Sequence, residues 1–510
     1  MKEIVLTTIN AKWIHPSLAL RLLKANLGSL EEKCEIIEFN LRQPLGEKVE
    51  TLLAAHPRIL GISVSIWNHT ATIELLGELE KAWAAHNAQK PLIVLGGPEV
   101  AHLPEDANIF RFADFVICGE GETAFCLLCE NVLTGMAHNT RKFINAEPVS
   151  LEKIKAAYHL YTDEDLAKKL IYVEASRGCP FNCEFCQSSL DSEVREFPLD
   201  PFLAQMNELV ERASKTHSVS CVDEQMLHGV APVKSSLHNK GSEPLGERAC
   251  EAKTFKFLDR TFNVNIKRAL KVIEFFLEKN EVKKERLVVH FEMVPSIFPD
   301  ELREALSRFP PESLRLEIGI QSLNMEVCAR IGRFCDPEKE LDTLRFLREK
   351  TNAIIHADLI AGLPGEDIAS FGRGFDRLWQ ALNSVALCSA SPYNTPQNRR
   401  AEIQLGILKL LPGAPISRHN EAFKMRYNPL PPYEIEETAA VSAADLCRIR
   451  NFARFWELIV NRSLVNFAPD EPVFDKFLSL SDLLFAHFRR NWGIDRDELL
   501  EILKRERVFI

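Results

Sequence analysis

Three cysteines stand close together in the stretch SRGCPFNCEFCQSS: Cys179, Cys183 and Cys186, spaced CxxxCxxC. Thiolates at this spacing on one loop can converge on a metal centre. Three of them leave a four-coordinate centre one ligand short. A structural zinc site would need a fourth protein ligand, a Cys or His brought from a distance. An iron–sulfur cluster held by three thiolates would instead leave one iron open, free to chelate the amine and carboxylate of an amino-acid moiety. Both readings stand on the residues alone, and the strand context of the motif favours the second.

The elements that must position these cysteines form an alternating series. From about 171 to 420 the candidate strands are IYVEA, TFKFLD, RLVVHFEM, LRLEIGI, IIHADLI and EIQLGIL, with helical patterns between them. In PFLAQMNELVERA, Phe202, Met206, Leu209 and Val210 share one helical face, as do Ile368, Phe371, Phe375, Leu378 and Leu382 further on. Six β/α units predict a partial or closed TIM-like parallel barrel. The cysteines follow its first strand, on a βα loop, at the face where barrels place their chemistry.

Residues 1–145 carry a separate alternation: EIVLTTI, EIIEF, ILGISVSI, PLIVLGG and DFVICGE, each followed by turn residues or a helical stretch. Short continuous apolar strands between helices predict a buried parallel sheet, here a flavodoxin-like doubly wound domain that binds ligands beyond the carboxyl ends of its strands. Glycine turns follow the fourth and fifth strands at GGPEV (Gly96, Gly97) and GEGET (Gly119, Glu120, Gly121, Thr123). They would let backbone approach a bulky ligand, with Glu120 and Thr123 placed to hydrogen-bond it. Alone, such turns equally fit a βα loop with no ligand. After the Pro-rich stretch MRYNPLPPYEI, residues 426–510 read as a small α-helical domain, which leaves 146–425 for the barrel. Two polar stretches, 214–253 and 383–400, interrupt the barrel rhythm where loops of about 2–6 residues are usual. They are expected to be peripheral or poorly ordered, which sets Cys221, Cys250 and Cys388 aside as cluster ligands.

At 510 residues the chain has room for about three domains. Its formal net charge of −10 argues against a nucleic-acid groove, which needs a basic footprint. The 13 cysteines, an odd number in a long chain, fit reduced cytoplasmic thiols better than a secreted disulfide framework. The opening MKEIVLTTIN reads as a strand rather than a signal peptide, and no run of 18 apolar residues predicts a membrane span.

Cys179, Cys183 and Cys186, with the aromatic Phe185 before the last, resemble the radical S-adenosylmethionine (SAM) superfamily. KFLDRTF, HFEMVP, GIQSLN and HADLIAGLPGED follow in the order of that family's later strands. The resemblance implies a [4Fe-4S] cluster whose open iron binds SAM. It makes Asp259 and Glu292 candidates for polar contacts in the pocket, Gln321 and Ser322 for the methionine or ribose, and Gly362, Leu363 and Pro364 for the adenine-side turn. Asp259 and Glu292 could equally be salt-bridge partners. The first domain then resembles the cobalamin-binding domains that precede many radical SAM domains. It lacks the DxHxxG motif of one such group. His15 could still reach cobalt, since imidazole suits the metal, but reads better as a satisfied loop histidine; Ser65, Trp67 and Asn68 are candidates for the lower cobalt face, with core packing an equal reading for Trp67. Taken together, the chain resembles cobalamin-dependent radical SAM proteins with a C-terminal domain of unknown function. That resemblance implies an electron from a reduced flavodoxin or ferredoxin and reductive cleavage of SAM to a 5′-deoxyadenosyl radical. It further implies methyl transfer from cobalamin to an unactivated carbon of a substrate the sequence does not identify. Cobalamin acting as an electron relay in a rearrangement or oxidation, and a non-catalytic cobalamin or iron–sulfur sensor, are the alternatives. A tRNA-modifying methylthiotransferase fits less well, since no basic tail is present.

Overall fold

The structure, a computed structural model, describes residues 2–86, 89–136, 141–216, 252–281, 286–383, 401–465, 467–468 and 471–506. The first unit contains β1 (Ile4–Asn10), α1 (Leu18–Ala25), β2 (Cys34–Asn40), α2 (Leu45–Ala55), β3 (Ile59–Ser63) and α3 (His69–Ala85). It continues through β4 (Leu92–Gly96), β5 (Phe115–Cys118), α4 (Gly121–Leu133) and β6 (Phe143–Asn145). All strand pairs are parallel, in the order β2-β1-β3-β4-β5-β6. The five expected strands are present in flavodoxin-like order. The sixth, three residues long, is too short to carry a periodic signal. Because β1 lies between β2 and β3, the winding reverses there, and a crevice opens beyond the carboxyl ends of β1 and β3.

The second unit begins with α5 (Asp163–Lys168) and β7 (Ile171–Val173), then an antiparallel pair, β8 (Ser176–Arg177) with β9 (Arg195–Glu196). It proceeds through α6 (Leu199–Lys215), β10 (Lys253–Phe257), α7 (Ile266–Glu281), β11 (Leu287–Met293), α8 (Asp300–Ser307) and β12 (Leu314–Gln321). The last elements are α9 (Met325–Arg330), α10 (Pro337–Lys350), β13 (Ile354–Ala361), α11 (Ile368–Asn383) and β14 (Ala401–Ile407). The six long strands run parallel in the order β7-β10-β11-β12-β13-β14, and among the described residues β14 does not pair with β7, so the barrel is partial. All six strands expected from the sequence are present. The stretches 214–253 and 383–400, with Cys221, Cys250 and Cys388, fall almost wholly outside the described residues. At their edges α6 runs on to Lys215 and Lys253 already belongs to β10.

Two sets of side chains alternate along these strands. Phe255, Phe257, Leu314, Leu316, Ile318, Ile355 and Ala357 are buried in a core shared with the surrounding helices. The intervening residues, Lys256, His290, Glu292, Glu317, His356 and Asp358, are polar and face the barrel interior. After the short antiparallel pair β15 (Arg426–Tyr427) and β16 (Ile435–Glu437) come α12 (Ala443–Ile459), α13 (Phe474–Phe488) and α14 (Arg496–Arg505). These helices do not enclose a core of their own. Trp456 packs edge-on against Phe375 of α11 with ring centroids 4.7 Å apart, and one apolar core runs from Leu18 of α1 through the barrel helices to Leu503. Among the described residues no helix is long and apolar enough to cross a membrane.

Candidate functional site

The cysteine loop is rooted in β7 and closed by the β8–β9 pair. Three features force its shape. Gly178 has φ +87°, and a Cβ there would meet the Glu193 carbonyl oxygen at 2.0 Å, so no side chain fits. The Cys179 N–H donates to the Asp191 carbonyl (3.0 Å), and the Cys186 N–H to the Cys183 carbonyl (3.0 Å). Glu184, buried between the last two cysteines, accepts from Arg418, stands 2.8 Å from His419 Nε2, and its backbone bonds Ile331 and Ile416. The loop is thus gripped on both flanks.

Cys179, Cys183 and Cys186 line one cavity of about 290 Å³ at the carboxyl ends of the barrel strands, together with Phe185, Glu292, Gln321, Arg260, Arg333 and Asp358. Among the described residues no other cysteine and no histidine lines it. The chain does hold a CxxC pair, Cys126 and Cys129, but it lies on α4 of the first unit, with Cys129 fully buried in that unit's core. Nor do any three Cys, His, Asp or Glu side chains among the described residues stand close enough to hold a single metal ion. Zinc needs its ligands on one centre, whereas a four-iron cluster gives each cysteine its own iron and holds the sulfurs apart. The donor set fits the cluster. Burial pushes the Cys183 thiol up to about 11, so the free thiol is neutral and ligation must drive off its proton.

The other expected residues divide. Glu292 lines the cavity; burial raises its carboxyl to about 7, with Arg260 3.9 Å away on one side and the Glu317 charge on the other. Gln321 also lines it, held at φ +64° where the pairing of β12 with β13 slips at Gly319. A non-glycine residue in the left-handed region costs about 1 kcal/mol or more, and such outliers cluster at sites. Asp259 does not reach the cavity. Its carboxylate accepts from the Ala175 N–H (2.9 Å) and the Ser176 hydroxyl (2.5 Å), so it anchors the root of the cysteine loop. Ser322 is buried and donates to Glu366 (2.7 Å). Gly362, at φ +89°, makes room for Ile435 of the C-terminal segment, whose methyl carbon would lie 2.6 Å from a Cβ. The Pro364 carbonyl accepts from Arg330 (2.6 Å). None of these last three lines the cavity.

A second cavity, of about 560 Å³, extends from the carboxyl ends of β3, β4 and β5 along α1 and α4 to the barrel mouth. Gly96, Gly97, Gly119 and Gly121 line it as expected. Their glycine requirement comes partly from the protein itself. A Cβ on Gly97 would meet the Val64 carbonyl oxygen at 2.5 Å, and one on Gly119 the Ala146 carbonyl oxygen at 2.7 Å. Its volume falls within the range of cofactor sites, about 300–1,000 Å³, and its mostly apolar walls suit the flat face of a corrin ring rather than the polar amide arms at its rim. Thr123 is exposed on the far side, beside Leu127 and Pro148, and does not reach it. Glu120 lines it, but its carboxylate is already engaged by Arg195 (2.5 Å), the Val149 N–H (2.7 Å) and Arg177 (3.3 Å). His15 stands 2.7 Å from the Tyr172 hydroxyl, and burial pushes its imidazole down to about 4, so it is a satisfied neutral histidine. Asn68 is fully buried, bonding Ser65 N–H and the Ile9 carbonyl, and Trp67 is 52% exposed; neither lines the cavity.

Sequence reasoning missed the residues that join the two cavities. Ser188 and Arg260 line both. Beside them Arg177, nearly buried, bonds Glu174 through both carboxylate oxygens (3.1 Å) and Glu122 at the start of α4 (2.7 Å). One guanidinium therefore ties the first unit to the strand that carries the cysteine loop. It also missed Asp358 and Glu317. Their signal was available: barrel strands usually read as continuous apolar runs, whereas HFEM, RLEIG and HADL place a polar residue at every second position.

Comparison with known proteins agrees with this geometry. Residues 4–128 match the B12 binding domain and residues 173–377 the radical SAM superfamily. An uncharacterized methyltransferase, PH0819 of Pyrococcus horikoshii, is 25% identical over 296 residues, 54% of this chain, and the match spans about half of that relative's length. Among solved structures, the cobalamin-dependent SAM radical enzyme OxsB with aqua-cobalamin bound matches with a TM-score of 0.64 at 15% identity, covering 99% of this chain and 75% of that one. The radical SAM methyltransferase TsrM from Kitasatospora setae, with tryptophan and a SAM analogue bound, matches with a TM-score of 0.56 at 15% identity, covering 88% and 81%. At these identities the likeness is one of fold. The chain thus joins a B12 binding domain, residues 4–128, to a radical SAM domain, residues 173–377, the doubly wound unit and the partial barrel that carries the three-cysteine loop.

Proposed function

We propose that the protein is a cobalamin-dependent radical SAM methyltransferase acting on an unactivated carbon. The observation that carries this reading is the junction of the two cavities. One is walled by the three cysteines, the other by the glycine turns of the B12 binding domain, and they share Ser188 and Arg260. When bound, the cluster and cobalamin supply SAM cleavage to a carbon radical and a transferable methyl group. Cys179, Cys183 and Cys186 hold the cluster; Glu292 and Gln321 face the SAM side of the cavity. Glu184 and Asp259 keep the cysteine loop in place, and Phe185 packs on the apolar cluster that includes Ile331 and Leu363. A substrate entering between the two cavities is screened from water by both units. A reduced flavodoxin or ferredoxin is the proposed electron source.

The test is anaerobic reconstitution with iron, sulfide and cobalamin, followed by product analysis with SAM and reductant. The expected products are 5′-deoxyadenosine and S-adenosylhomocysteine, and Cys183→Ala loses iron and both products together. 5′-Deoxyadenosine without S-adenosylhomocysteine removes methyl transfer from the reading. A Cys183→Ala protein that keeps both cluster and products removes the cluster assignment.

A further inference from the structure

Two cysteines outside both cavities are held against each other. Cys328 lies on α9 and Cys335 just before α10, with a tight turn between them. The turn closes where Gly332 takes φ +66° and the Arg333 N–H donates to the Cys328 carbonyl (2.9 Å). It brings both sulfurs to one acceptor, the Ser322 carbonyl oxygen, Cys328 Sγ at 3.2 Å and Cys335 Sγ at 3.8 Å. The Cys335 thiol also donates to the Cys328 sulfur, which lowers the Cys328 thiol and raises Cys335. Cys328 is only 1% exposed, whereas Cys335 is half-buried and reachable. One accessible sulfur with a second directly behind it is the arrangement of an attacking and a resolving thiol. Cys126 and Cys129 on α4 make a contrast, since burial raises both and neither is the other's hydrogen-bond partner among the described residues. The turn between Cys328 and Cys335 also braces the cluster loop. The Ile331 carbonyl accepts from the Glu184 N–H (3.0 Å), and a Cβ on Gly332 would meet the Asn182 carbonyl oxygen at 2.7 Å. Whatever fixes this turn therefore fixes one flank of the loop that carries Cys183.

We infer that Cys328 and Cys335 form a reversible dithiol–disulfide site, oxidised by a small-molecule disulfide of the glutathione class, and that the closed disulfide staples the turn bracing the cysteine loop. The exchange balances. The Cys335 sulfur attacks the small disulfide RSSR, forms a mixed disulfide with one RS group and expels the other. The Cys328 sulfur then attacks the Cys335 sulfur, closes the internal disulfide and expels the second. Two electrons pass from the pair to RSSR, and the two thiol protons leave on two RSH molecules. The site uses none of the three cluster cysteines, and it stands whatever reaction the two cavities perform.

The experiment keeps the reconstituted holoenzyme anaerobic in millimolar reduced glutathione and raises glutathione disulfide stepwise. Each step is quenched with acid, and every thiol is mapped by alkylation and peptide mass spectrometry. Cys447, exposed in the same chain, serves as the unassisted thiol. The Cys328–Cys335 disulfide is expected at a glutathione disulfide level about tenfold below the one that caps Cys447, because its second step is intramolecular. Dithiothreitol returns both thiols. Cys328→Ser is expected to stop at a glutathione adduct on Cys335. A chelator should draw iron from the oxidised native protein about threefold more slowly than from the reduced protein, as a closed turn opens less often, and Cys328→Ser should show no such difference. Free thiols at both positions when Cys447 is fully capped overturn the site, and so does a glutathione adduct that persists on Cys335 of the native chain. Equal rates of iron loss from the oxidised and reduced native protein overturn the staple. Thiol mapping and iron release need no turnover, so they fail or succeed independently of the product analysis that tests the proposed function.

Discussion

Arg177→Met removes the guanidinium that joins the two units while keeping most of the side-chain volume. The carboxylates of Glu174 and Glu122 have no other hydrogen-bond or ion-pair partner among the described residues, whereas that of Glu120 keeps Arg195. Arg177 is only 11% exposed and Glu122 6%, so solvent cannot replace the lost partner. Breaking a buried ion pair costs about 3–5 kcal/mol. The cost here depends on pH. Burial already raises Glu174 to about 7 with Arg177 present, so without it Glu174 takes up a proton near neutrality and escapes part of the penalty. A raised carboxyl stabilises the folded chain below its unfolded value and loses that contribution as pH rises through the folded one. The variant should therefore be destabilised by about 3 kcal/mol or more at pH 8 and by distinctly less at pH 6, read as the guanidinium denaturation midpoint of the apo chain. Adding Glu122→Gln should restore part of the loss at pH 8, because it removes one of the two orphaned charges. A variant within about 1 kcal/mol of the native chain at pH 8, or one equally destabilised at both pH values, would refute a buried, unreplaced clasp.

Other sites give sharper single outcomes. Gly178→Ala should lose cluster occupancy, measured as iron per chain after reconstitution, because its Cβ would sit 2.0 Å from the Glu193 carbonyl oxygen. Glu366→Gln should gain stability at pH 8 relative to pH 5. The native carboxyl is raised by burial from 4.5 to about 7, so ionising it costs the fold about 3 kcal/mol above pH 7, and the amide does not ionise; a pH-independent difference between the two proteins would contradict this. Thr123→Val should leave cobalamin affinity within about twofold, while Gly97→Val, whose Cβ collides with Val64, should abolish it in an equilibrium dialysis assay. Trp456→Ala should lower stability by about 3–5 kcal/mol in denaturation, and the barrel should unfold with the C-terminal helices because Trp456 packs against Phe375 and Trp379.

The parallel strands of both sheets were legible because each is a short apolar run bounded by turn residues, a signal that needs no partner to be seen. β6 and the β8–β9 pair were not, since two or three residues carry no period and exist only where a neighbouring strand accepts them. The C-terminal helices were visible one by one, but not their attachment. An amphipathic face announces that it will be buried without naming what buries it, and here it is α11 rather than a core of their own.

The same division runs through the site. Sequence alone placed three thiols on one loop, because three cysteines within eight residues are close in space however the rest folds. It also determined the glycine turns, whose left-handed backbone is written into the residue type. Tertiary structure alone decided which polar residues face a ligand. Asp259, Glu120 and Ser322 looked available in one dimension, yet each finds its hydrogen bonds within the protein. Asp358, unremarkable in the chain, has a buried Oδ1 with no hydrogen-bond partner, while Lys256 of another strand donates to Glu317. A residue's type states what it can bond. Only the packing of distant strands around it states what it still has free.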